Sequence, residues 1–106
     1  MLKADIDGFI KLVEDAEYVE AHEVMEDDWR DLKKQMRKKE AKYLQALING
    51  ATALALFYIK KRPEPGQRVW EVYLRNKYLF DELELFEKEK YKYVQTLLEE
   101  RYDKRI

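Results

Sequence analysis

The sequence predicts an all-α fold, a compact bundle of four to five helices, on three observations. Apolar side chains recur at three- and four-residue spacing through most of the 106 residues, and only three glycines and two prolines interrupt them. No stretch alternates apolar with polar residues as a half-buried strand would. A chain of this length builds one core, so residues 1–106 are expected to form a single helical domain.

Ile6, Phe9, Ile10 and Val13 make the stripe of a first helix over residues 5–14, with Asp5 as its N-cap and Gly8 weakening its first turn. From Ala16, the series Tyr18, His22, Met25, Trp29, Leu32 and Met36 keeps the helical period for five turns, and predicts one long second helix. Its acids come early and Lys33, Lys34 and Arg37 come late, as the helix dipole favours. Lys38 and Lys39 mark a corner. The next segment, from Tyr43 through Leu44, Leu47, Ile48, Ala51, Leu54 and Tyr58 to Ile59, is apolar on more than one face and rich in small residues. It is the central helix.

Lys60-Lys61-Arg62 close that helix, and Pro63-Glu64-Pro65-Gly66 is the strongest breaker in the chain, where a fourth helix starts. Val69, Trp70, Tyr73, Leu74, Leu79 and Phe80 give the fourth helix a two-sided stripe. Asp81 and Glu84 have the spacing of a capping box, which predicts a separate fifth helix carrying Leu83, Phe86, Val94, Leu97, Leu98 and Tyr102.

Composition excludes several chemistries. With 21 basic against 22 acidic side chains, the whole molecule has no net pull on polyanions, so nucleic-acid binding is not expected. The absence of cysteine removes disulfides, thiolate zinc sites, iron–sulfur clusters and thiol nucleophiles. There is no serine, and Thr52 and Thr96 are the only aliphatic hydroxyls, so Ser or Cys covalent catalysis is excluded too. The first residues lack a signal-peptide pattern, and the longest apolar stretch, Ala51 to Ile59, is too short to span a bilayer. A cytoplasmic protein without membrane association is expected.

Two stretches carry a family resemblance. The string EYVEAHEVMEDDWR, followed closely by YLQALINGATALALFYIKKRPEPGQRVWEVYLRNKYLF, resembles the bacterial and archaeal domain-of-unknown-function family 309. The shared pattern is an E-A-H-E-V-x-E-x-x-W helix, an apolar helix, and an amphipathic helix after a turn, over residues 17 to about 80. It falls on Glu20, His22, Glu23, Glu26 and Trp29, and on Gln45 of the apolar helix. This chain departs from it at Ala46, where the family usually has glycine, and in its Pro63-Glu64-Pro65-Gly66 turn. The resemblance implies a compact helical domain and brings no activity with it.

His22, the only histidine, lies among carboxylates on the same helix face as Tyr18, Met25, Glu26 and Trp29. The first reading is structural: a partly buried imidazole, bonded to Glu26 or a carbonyl and locked by Gln45 or Asn49 of the next helix. The second makes His22 a general base oriented by Glu26, with Glu23 close by, so that His22, Glu23 and Glu26 are the catalytic candidates and Glu20, Trp29 and Gln45 the ligand-binding ones. A metal site ranks last, because Glu-x-x-His pairs work from two helices and zincin helices carry a second histidine. No metal and no cofactor is expected.

Trp29 and Trp70 are expected as core anchors, and the eight tyrosines as the rim of a small core. The basic runs Lys33 to Lys42 and Lys60 to Arg62 fall at opposite ends of an antiparallel helix pair, about 27 Å apart, and do not merge into one surface. The leading reading is therefore an interaction or structural module, acting on an unknown protein partner or on itself as a homodimer. Its alternative is an enzyme or metal-binding protein using the His/Glu cluster.

Overall fold

Asp5 caps the first helix as its position predicts: in the computed structural model, which describes residues 1–105, its carboxylate accepts the Gly8 N–H at 3.0 Å. Helix α1 (Ile6–Glu14) ends in a Schellman turn, with the Glu17 N–H on the Leu12 carbonyl and the Ala16 N–H on that of Val13. Ala16 is left-handed there, at φ 59°. The expected five-turn helix is two, α2 (Tyr18–Val24) and α3 (Glu26–Lys34), interrupted at Met25 with φ −105° and ψ 5°. The Trp29 N–H still reaches the Met25 carbonyl, so helical spacing passes through the break and periodicity alone cannot reveal it. Met25 is fully buried, and both short helices pack on the same neighbour.

That neighbour is α4 (Lys38–Tyr58), the central helix. The corner lies at Met36 rather than at Lys38 and Lys39, which form its first turn. A second Schellman turn puts Met36 at φ 60° and the Arg37 N–H on the Leu32 carbonyl. Helix α4 packs against α2, α3, α5 (Pro63–Asn76), a 3-10 turn over Lys77–Asp81, and α6 (Lys88–Asp103). Gly50 lets α6 close in, since a Cβ there would stand 3.0 Å from Leu98 Cδ1. Proline at the start of α5 belongs to its first turn, where a missing N–H costs nothing, and the turn itself is made at Lys61, φ 55°.

The capping box at Asp81 and Glu84 does not form, and the last helix starts at Lys88. The intervening backbone pairs with the N-terminal segment instead. The Leu2 N–H donates to the Glu84 carbonyl at 2.9 Å, and the Phe86 N–H to that of Leu2 at 3.0 Å, an isolated parallel bridge that buries Leu2 and Leu85. A helix beginning at Asp81 would consume those groups within itself.

Among the described residues the all-α bundle is as predicted, with the expected second helix divided at Met25 so that α1 to α6 are present. The radius of gyration, 12.7 Å, is what a compact chain of this length should have, about 13 Å. Trp70 is buried as expected, its ring stacked on Tyr102 with centroids 4.2 Å apart. The tyrosines are not mainly a rim: Tyr18, Tyr43, Tyr73 and Tyr91 are all core residues. Their rings fill the core while three of the hydroxyls reach side chains of α6. Tyr43 donates to Gln95, Tyr73 donates to Glu99, and Tyr18 accepts from Arg101. Arg101 also binds the last carbonyls of α1, those of Val13 and Glu14, and so seals that helix end with a cation.

Candidate functional site

Helices α2 and α3 run antiparallel to α4, and their seam carries the histidine motif. His22 is not the buried pin of that seam. About a third of its side chain is exposed (32 %), and its bonds stay within its own stretch of chain. Nδ1 lies 2.6 Å from the Val19 carbonyl, and Nε2 lies 3.4 Å from Glu26 Oε1. No side-chain hydrogen bond among the described residues involves Gln45 or Asn49, so α4 does not lock the ring. A carbonyl oxygen only accepts, so Nδ1 carries a proton, and the free valence of the ring is Nε2.

Arg30 organises the carboxylates beside it, donating to Glu26 Oε2 at 3.1 Å and to Asp27 Oδ1 at 2.8 Å. Glu26 Oε1 is left turned to the imidazole. Two carboxylates share one guanidinium, so the cluster keeps one formal negative charge. His22, Glu26, Trp29, Gln45, Ile48, Asn49 and Thr52 enclose a notch of about 200 Å³. Of the sequence candidates, the fold brings together His22, Glu26, Trp29 and Gln45. It leaves Glu20 and Glu23 exposed outside the notch: position 20 is on the opposite side of the helix from 22, and position 23 is about 100° round from 22, on the solvent side.

Trp29 is not a core anchor. It is half-buried and forms the wall between the notch and a wider groove of about 380 Å³, lined by Trp29, Lys33, Met36, Lys38, Ala41, Lys42 and Gln45. The Lys33 ammonium sits over its ring, 4.6 Å from the centroid. Notch and groove adjoin along the seam, with Trp29 and Gln45 lining both, and together make up a furrow that the Trp29 ring divides. Sequence reasoning missed Thr52, Lys38 and Lys42 as part of it. The available signal was a row of polar residues, at positions 38, 42, 45, 49 and 52, on a helix that is otherwise apolar all round beyond its first turn.

No group of three His, Asp or Glu side chains among the described residues converges as a metal site would require. No helix of the described residues is long and apolar enough to cross a membrane. The molecule is thus an all-α domain with a polar notch and a lysine-edged groove on one helix seam. The chain belongs to the DUF309 family: the description "Domain of unknown function (DUF309)" matches residues 6–69, from the start of α1 into α5, and takes in the whole furrow. The match begins earlier and ends earlier than the stretch from 17 to about 80 that carried the resemblance. No curated protein and no solved structure matches the chain.

Proposed function

We propose that this domain is a recognition module, and that the groove between α3 and α4 receives an acidic segment of a partner protein bearing a large apolar side chain. One observation carries this: Lys33, Lys38 and Lys42 stand around an apolar lining of Trp29 and Ala41, with Met36 at its edge, without a carboxylate of the chain in ion-pairing reach among the described residues. Lys39, one residue along, is paired with Glu82 at 3.0 Å. Met36 is 74 % exposed on the groove edge, where an unbranched side chain adapts to a guest. Carboxylates on a partner would complete the three cations and gain on-rate and specificity from them.

Catalysis fits this face less well. The nearest hydroxyl, Thr52 Oγ1, already donates to the Ile48 carbonyl at 2.9 Å, and an imidazole with one carboxylate supplies two groups where a zinc centre takes three or four. The test is a titration of the protein with a synthetic peptide rich in Glu and Asp around a central Leu or Phe, followed by the NMR signal of the Trp29 indole N–H. A saturable shift that weakens with added salt is expected, together with a loss of about tenfold or more in affinity when Lys33 and Lys42 are reversed to Glu. An indole signal indifferent to the peptide at low salt removes this reading. Self-association seen by sedimentation, and abolished by the same reversals, would make a second copy the occupant instead.

A further inference from the structure

We infer that the notch beside His22 is a binding site for a primary ammonium group, either a free small amine or a lysine side chain. The geometry points there because, around a neutral His22, the notch presents acceptors that lack a donor. With the Nδ1 proton committed to the Val19 carbonyl, a neutral His22 turns the lone pair of Nε2 toward Glu26 Oε1 at 3.4 Å. Two acceptors at that separation repel one another unless a donor lies between them: either a proton on Nε2 itself or an N–H brought from outside.

Three further features choose an ammonium over other donors. The Glu26, Asp27 and Arg30 cluster retains one negative charge beside the notch. Thr52 Oγ1 has spent its proton on Ile48 and offers only lone pairs, and the side-chain oxygen of Asn49 is unengaged, so acceptors stand on the α4 side as well as on the His22 side. An ammonium has three donors and no acceptor and can aim them at acceptors on both sides of the notch, whereas a guanidinium confines its donors to one plane. Trp29 adds an aromatic wall that a cation can face.

The experiment uses the full chain and three probes: n-butylammonium, tetramethylammonium, which carries charge but no N–H, and a short neutral peptide with one lysine. The readouts are the His22 ring nitrogens and the Asn49 side-chain amide by NMR. Expected is a saturable shift at both residues with n-butylammonium and none with tetramethylammonium, the response falling by about tenfold in affinity in Glu26→Gln. A tighter response to the lysine peptide than to butylammonium assigns the site to a protein side chain; the reverse assigns it to a free amine. Glu26 is surface-accessible, and a melting curve on Glu26→Gln, with His22→Gln as second variant, checks the fold. Equal response to tetramethylammonium, no saturable response to either N–H-bearing probe, or undiminished binding in both variants overturns the assignment. The acidic-segment groove is tested apart from this by its own acidic probe and by reversal of Lys33 and Lys42, which line the groove and not the notch.

Discussion

The buried tyrosines show how one hydroxyl can stabilise or burden a core. Tyr73 donates to Glu99 at 2.7 Å, and that carboxylate also holds Lys77 at 2.9 Å. The Tyr91 hydroxyl is buried with no acceptor for its proton among the described residues, although the Ala4 backbone N–H is turned toward its oxygen. An unmade bond of this kind costs about 1–3 kcal/mol, whereas a made bond to a charged acceptor contributes about 1.5–3 kcal/mol, less where solvent reaches it. Tyr91→Phe is therefore expected to stabilise the fold by about 1 kcal/mol and Tyr73→Phe to destabilise it by about 1–2 kcal/mol, both read from urea midpoints. Ala16 and Met36 make a similar argument for the backbone. The left-handed conformation costs an L-residue about 1–2 kcal/mol, while glycine's extra freedom in the unfolded chain costs about 0.4–1 kcal/mol, so Gly at either position should raise stability by about 0.5–1 kcal/mol. A lower midpoint in both glycine variants would contradict this account of the two helix ends.

Among the elements, α4 organises the rest, and Gly50 sets how close its partners come. An alanine methyl there would press on Leu98 Cδ1 at 3.0 Å and Tyr73 Cδ1 at 3.4 Å, but would gain about 1 kcal/mol of helix propensity. These roughly cancel, so Gly50→Ala should lie within about 1 kcal/mol of the parent. Gly50→Leu adds three more carbons to a filled space, and is expected to cost about 3 kcal/mol or more or to open the contact between α4 and α6. Thermal melts of the two variants separate these outcomes. The length and burial of α4 were legible in its small and apolar residues. The break at Met25 and the pairing of Leu2 with Leu85 were not, because both depend on what lies across the bundle and leave local spacing unchanged.

For the molecule as a whole, a core built on phenols implies a definite failure at high pH. Burial holds the phenols of Tyr43, Tyr73 and Tyr91 above the ordinary value of 10.0. Tyr91 is pushed up to about 12, and the Glu99 carboxylate raises Tyr73 further. The folded state then keeps protons that the unfolded chain releases above pH 10. This stability is complete below that pH and is lost as pH rises, by roughly 1.4 kcal/mol per unit for each phenol and about 4 kcal/mol per unit for the three. Against a domain stability of about 5–15 kcal/mol, cooperative unfolding is expected one to a few pH units above 10. Helical circular dichroism should fall together with the rise of phenolate absorbance, and the Tyr73→Phe variant should lose about a third of the slope. Phenolate appearing at pH 10 with the helices intact would show that these rings are not held neutral by the core.

By itself the sequence determined the helical class, the Asp5 cap, the central place of α4, the family, and the chemistries that a chain without cysteine or serine cannot perform. All of these follow from residue type and spacing, which need no knowledge of neighbours. Only the tertiary structure decided what the histidine motif faces. Helical spacing puts His22, Glu26 and Trp29 on one side of their helices, but it was the packing of α4, with Gln45, Asn49 and Thr52 on its outer stripe, that left that side half-open instead of buried. Helical spacing also puts Lys33 over Trp29, four residues along α3, but only the packing of α4 set Lys38 and Lys42 across from them. Burial is a property of pairs of surfaces, and one strand of residues carries only half of each pair.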